Sequence, residues 1–166
     1  RGNKLVTDIR FAYQFGNGNR LTVIEPTSLL GVYSSTTLPG EPLSVVRIST
    51  ALYVAMGSNG LGRLSLDSPA AFDTPPVSVE IPGPASSVTD LARSSNKMYA
   101  LTNGNAIIEF DIDGDQVRYN RSIQLSENKT RIFSLSGKLY SSNQNGEVFS
   151  FDNEGGQVRL FTVNSS

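Results

Sequence analysis

The side chains that could do chemistry in this chain are few in kind. Its 166 residues include no histidine and no cysteine. That removes imidazole acid–base catalysis, Ser-His-Asp triads, thiolate nucleophiles and disulfides, and with them zinc, iron–sulfur and His- or Cys-ligated haem sites. Catalysis would have to rest on carboxylates, tyrosines, lysines and arginines. Two carboxylates can hydrolyse a glycoside, yet the acids that stand out, Glu25, Asp67, Asp111 and Asp152, each close a similar short run, where turn chemistry explains them. No pair is singled out by breaking that pattern. The reading leans away from an enzyme, with no catalytic residue, metal or cofactor assigned.

Two loops imitate known sites. Asp111-Ile-Asp113-Gly114-Asp115 resembles the start of a calcium loop, but position 12 counted from Asp111 is Ser122, where a bidentate Glu is needed; an Asp/Gly turn is the simpler reading. Phe15-Gly16-Asn17-Gly18-Asn19 has the glycines of a phosphate loop but neither its Lys-Ser/Thr nor a following helix. Asn120-Arg-Ser122, Asn128-Lys-Thr130 and Asn164-Ser-Ser166 fit the glycosylation triplet, which is permissive of export and no more. With 14 basic against 15 acidic residues, no nucleic-acid face is expected. No apolar run approaches the roughly 20 residues that would cross a bilayer, and no leader peptide is visible.

The elements that must position any site are read from a repeat. Asn-Gly occurs at Asn17-Gly18, Asn59-Gly60, Asn103-Gly104 and Asn145-Gly146, at intervals of 42, 44 and 42 residues. Each pair lies between short apolar runs, which predicts four hairpins with type I′ turns. A tyrosine precedes each, at positions 13, 53, 99 and 140, and an upstream strand (Leu5–Ile9, Ser44–Ile48, Ser87–Leu91, Arg131–Leu135) and a downstream one complete each unit. Helical periodicity is hard to find, and only 17% of the residues are charged. The expectation is an all-β fold of four units, each of four antiparallel strands, over about 5–42, 43–86, 87–130 and 131–166 of one domain, 1–166.

Four strands in roughly 42 residues is the period of a β-propeller blade. One blade cannot cover both faces of its own sheet, so the recurring tyrosines are expected to pack between blades. Leu139-Tyr-Ser-Ser-Asn-Gln-Asn-Gly-Glu-Val-Phe-Ser-Phe-Asp152 resembles blades of the quinoprotein-like, YVTN-like and NHL-like propellers. There is no Trp-Asp pair and no tryptophan at all, so the resemblance implies fold and not activity. Four blades would form either a closed small ring or part of a larger one completed by a second chain or by missing blades.

Inner strands line a propeller's channel. On the alignment of the four units, Asp8, Arg47, Asp90 and Ser134 are the candidate binding residues, a network of opposite charges able to hold a small polar ligand or cation. The functional expectation is a non-enzymatic recognition or scaffold module for a protein or glycan partner, extracellular, periplasmic or on a cell surface. The alternatives are a fragment of a propeller hydrolase or lyase, and a structural subunit of a surface filament.

Overall fold

A computed structural model describes residues 4–8, 10–15, 18–25, 32–82, 87–103 and 105–163. Ile9, Asn17, Pro26, Gly31, Pro84, Gly104 and the triplet at Asn164 lie outside them. The described strands fall into four antiparallel sheets, each a simple meander in chain order. The first holds β1 (Lys4–Thr7), β2 (Ala12–Phe15), β3 (Arg20–Ile24) and β4 (Val32–Thr37). The second holds β5 (Ser44–Ile48), β6 (Ala51–Ala55), β7 (Leu61–Ser65) and β8 (Val77–Val79). The third is β9 (Val88–Ser94), β10 (Lys97–Thr102), β11 (Ala106–Asp113) and β12 (Gln116–Gln124), and the fourth β13 (Arg131–Leu135), β14 (Lys138–Ser142), β15 (Glu147–Phe151) and β16 (Gln157–Thr162).

The second, third and fourth sheets meet along their first strands, β5 touching β9 and β9 touching β13, and the first is joined to the second by a shared apolar cluster and an Asp8–Arg47 ion pair. Sheets joined at one strand and spread at the others form a fan, and the fold is an arc of four propeller blades. Three apolar clusters fill the seams: Tyr13 and Phe15 with Leu52 and Val54, Tyr53 and Ala55 with Met98 and Phe110, and Tyr99 and Leu101 with Ile132 and Leu139. Successive side chains on a strand point to opposite faces, so the second and third sheets, covered on both sides, need unbroken apolar strands. β6 is buried at every position, whereas β1 is exposed at every position and β16 at nearly every one. No apolar cluster joins the fourth sheet to the first among the described residues.

One helical turn, α1 (Pro69–Phe72), stands in the β7–β8 connection. Pro69 opens it with the φ a helix wants, and the Ser68 hydroxyl accepts the Ala71 N–H at 3.1 Å. It exists to place Phe72, fully buried, in the first seam.

The two hairpin turns described in full, at Asn59-Gly60 and Asn145-Gly146, differ from the type I′ expected. At Asn145-Gly146 the Gly146 N–H bonds the Asn143 carbonyl at 3.2 Å, and only the glycine has positive φ, at +75°. Gly60 (+74°) does the same and Asn59 does not. This is a turn with a left-handed residue added at its end, a three-residue connection rather than a two-residue one. Among the described asparagines of these turns, Asn103, at +47°, is itself left-handed, as expected. Gly146 is doubly required: a Cβ there would sit 2.5 Å from the Val163 carbonyl oxygen.

Ser141 marks a weak point in the third seam. Its register position, opposite Ile132 and Phe149, corresponds to Ala100 in β10 and Val54 in β6, and its buried hydroxyl has no hydrogen-bond partner. Such a hydroxyl costs on the order of 1–3 kcal/mol. Ser141→Ala, the residue the third sheet uses there, is therefore expected to raise stability by about 1 kcal/mol in urea denaturation; a loss of stability would show that the hydroxyl is paired.

Candidate functional site

Cross-strand register gives the four expected channel residues their places. Opposite the repeated tyrosines stand Val6, Val46, Ala92 and Phe133. Counted from these, Asp8 lies two residues later, Arg47 and Ser134 one later, and Asp90 two earlier. Asp8 and Asp90, aligned in the sequence, are thus about 13 Å apart in height along the strands at 3.3 Å per residue. The near-identical Leu-Val-Thr-Asp and Ser-Val-Thr-Asp runs are out of register with each other.

Two of the four meet. Arg47 Nε lies 2.7 Å from Asp8 Oδ2, an ion pair linking the first two sheets. Tyr13 Oη donates to the same oxygen at 2.6 Å, while the Arg10 and Phe11 N–H groups donate to Oδ1 at 2.7 and 2.8 Å. Burial works against ionising Asp8, but these hydrogen bonds and the guanidinium outweigh it and hold the carboxyl below its ordinary value. Burial and the Asp8 carboxylate push the Tyr13 phenol far above its own. Asp90 is spent differently: its Oδ2 accepts the Ile132 N–H of the fourth sheet at 3.0 Å. Ser134 lies half-buried on β13. The inner strands are therefore laced pairwise, sheet to sheet.

A cleft lies elsewhere, between the third and fourth sheets, with a volume of about 910 Å³. Its third-sheet wall is built across three strands. Tyr99, Glu109 and Arg121 form one cross-strand row, and Lys97 and Asp111 the next. A β-bulge follows Glu109, so that Arg121 and Tyr119 find partners and Asn120 is left over. The bulge re-aims that amide, which donates to Glu109 at 3.1 Å and Asp111 at 3.2 Å. Glu109, only 3% exposed, also accepts from Arg121 Nη2 at 3.1 Å and forms an ion pair with Lys97. A buried carboxylate is tolerable because every lone-pair direction meets a donor. The Glu109 bond raises the Lys97 pKa against the opposing effect of burial, with Asp111 adding to it. Burial, then Glu109, raises the Tyr99 phenol. The facing wall is mixed: Leu139 and Phe151, which also pack in the seam, stand beside Lys138, Ser150, Asp152 and Asn153, with Val158 and Leu160 at its edge.

The preceding seam shows why this one is open. Between the second and third sheets, Tyr53 Oη donates to the Asp115 carbonyl at 2.9 Å and Arg63 pairs with the Asp115 carboxylate, both supplied by the β11–β12 turn. Glu109 holds Arg63's place in the row, but its cations come from its own sheet. In the fourth sheet's β15–β16 turn the Asp152 carboxylate is spent on the turn itself, its Oδ1 accepting the Glu154 and Gly156 N–H groups at 2.9 and 2.6 Å. The turn reaches the third sheet at its outer strand, where Gly155 lies against Ile123.

Sequence reasoning passed over this cleft. The acid at 109 alone interrupts the apolar run Ala106–Phe110, and that was the available signal; the bulge that brings Asn120 to it leaves none. The loop from Asp111 to Asp115 is the expected turn, its carboxylates taken by Lys97, Arg118 and Arg63. Asn120 Nδ2, the atom that would carry a glycan, is bound to two carboxylates.

No family model matches the sequence, and no curated protein does either. Solved structures match in shape. They include the WD40 β-propeller domain of Doa1 (TM-score 0.72, 13% identity, 96% of this chain and 52% of that one) and Saccharomyces cerevisiae Sqt1 (0.66, 15%, 96% and 48%). The computationally designed Ika8 protein is a third (0.64, 15%, 92% and 46%). The chain spans about half the length of the structures it matches. At these identities the likeness carries the propeller fold; which type of propeller blade this is, NHL-like, YVTN-like or quinoprotein-like, it does not assign.

A group whose pKa is lower folded than unfolded contributes stability above its ordinary value, 3.8 for Asp8, and loses it as pH falls through the folded value. Between about pH 5 and pH 2, the wild-type chain is expected to lose more unfolding free energy than Asp8→Asn. Parallel pH profiles of the two in urea would show that Asp8 is not the clasp.

Proposed function

We propose that the chain is a non-enzymatic recognition module, and that the cleft between its third and fourth sheets takes an extended segment of a protein partner. The observation that carries this is the amphipathic character of the cleft: a charged, amide-bearing wall around buried Glu109, opposite a wall where Leu139, Phe151, Val158 and Leu160 alternate with Lys138, Ser150, Asp152 and Asn153. A peptide presents backbone polar groups and alternating side chains to such a slot. The volume lies toward the upper end of the range for ligand pockets. Lys97 and Arg121 retain donors beyond those spent on Glu109 and Asp111, which suits carbonyl or carboxylate acceptors of a ligand. Glu109 itself is wholly occupied by cations and an amide, which suits fixed recognition better than proton transfer. The likeness to a WD40 propeller domain supports the scaffold part of the reading. An exported or cell-surface setting, inferred from a chain without cysteine, belongs to the proposal as well.

A glycan is the second occupant the lining could suit, since Tyr99 offers a ring beside Asn96 and Asn120. Selection from a displayed peptide library, run beside a glycan array, separates the two. Peptide binders are expected, with affinity reduced at least tenfold by Lys138→Glu or Asn153→Arg at the cleft mouth and unchanged by Arg20→Glu on the first sheet. Binding to glycans alone would replace the occupant, and silence from both would end the recognition reading.

A further inference from the structure

The fourth tyrosine has no seam to fill. Tyr13, Tyr53 and Tyr99 are each buried against the next sheet, while Tyr140, at the same register position opposite Phe133, is only half-buried and stacks on that ring (5.4 Å between centroids, 13° between planes). Phe133 is 41% exposed and Leu135 62%. Phe133 and Leu135 lie on the same face of β13, and Val148 and Phe161 continue that face across β15 and β16. At the other end of the fan the first sheet offers the complementary surface. Its outer face carries Leu5, 64% exposed, with Gln14 and Thr22 in one row and Ala12 and Ile24 in the next. These are the register positions by which the later sheets receive a predecessor, filled there by Leu52 and Val54, by Met98 and Ala100, and by Leu139.

We propose that a second copy of this chain completes the ring, the fourth sheet of each copy packing on the first sheet of the other. Both halves of one repeating joint are present on a single chain, so a two-fold axis along the channel satisfies both with two identical joints and leaves no free face. Area agrees. The chain exposes 8991 Å², against about 8,000 Å² for a folded monomer of its mass. The surplus of about 1,000 Å² per copy is of the size that a specific interface removes, roughly 800 Å² per partner. Two copies also reach the length of the propellers of which one copy spans half.

Size-exclusion chromatography with light scattering on the 166-residue chain is expected to give twice its 17.9 kDa. A monomer across the accessible concentration range overturns the proposal, as does an open-ended series of larger species. The closure is specific about faces. Tyr140→Arg on the fourth sheet and Leu5→Arg on the first are each expected to yield monomer, with far-UV circular dichroism and thermal melts confirming that the fold survives. A dimer broken by Tyr140→Arg but indifferent to Leu5→Arg would mean that two fourth sheets pair with each other, and the ring would be wrong.

Discussion

A four-stranded sheet of short strands has two faces and nothing of its own to cover either, and this governs the rest of the molecule. Burial of apolar area is the main stabilising term, at about 25 cal/mol per Å², so each sheet is stable only through its neighbours. The solution is a single directional joint used three times, in which the tyrosine-bearing face of one sheet meets the opposite face of the next. The second and third sheets have a neighbour on both sides; the first and fourth each keep one face open. The fan shape and the two uncovered ends follow from the same joint.

Polar groups at the seams then decide what each can do. At the first, Arg47 and Tyr13 converge on Asp8. At the second, the β11–β12 turn folds its Asp115 over Tyr53 and Arg63 and closes the gap. At the third, the acid is on the strand and its cations come from the same sheet, so no side chain of the fourth sheet is drawn across to it. A cleft results, with Glu109 already neutralised in its wall. The recurring architecture positions the rows, and one exchange of charge, Arg63 for Glu109, distinguishes a sealed seam from an open one.

The repeat was legible because the joint constrains residue type. Tyrosine, with flanking apolar residues at a period near 42, marks the buried row, and it located the strands that form the four sheets. Register was not legible. The Asp8 and Asp90 runs look alike, yet a shift of four residues is invisible to a pattern whose period along a strand is two. Asp67 likewise seemed to match Asp111 and Asp152, but it follows Arg63 by four residues where they follow Glu109 and Ser150 by two. The cleft escaped because it depends on a bulge, which adds a residue without leaving a sequence mark, and on contacts between sheets that no local pattern encodes.

The sheet-to-sheet joint is open to direct measurement, because the Arg63–Asp115 pair spans the second seam and joins residues 52 apart in sequence. A double-mutant cycle with Arg63→Ala and Asp115→Ala, read by urea denaturation, isolates their coupling from the separate costs of each change. With both side chains partly exposed, a coupling of about 1 kcal/mol is expected. Strict additivity of the two substitutions would mean that the second and third sheets do not face one another in solution, and the fan would have to be abandoned.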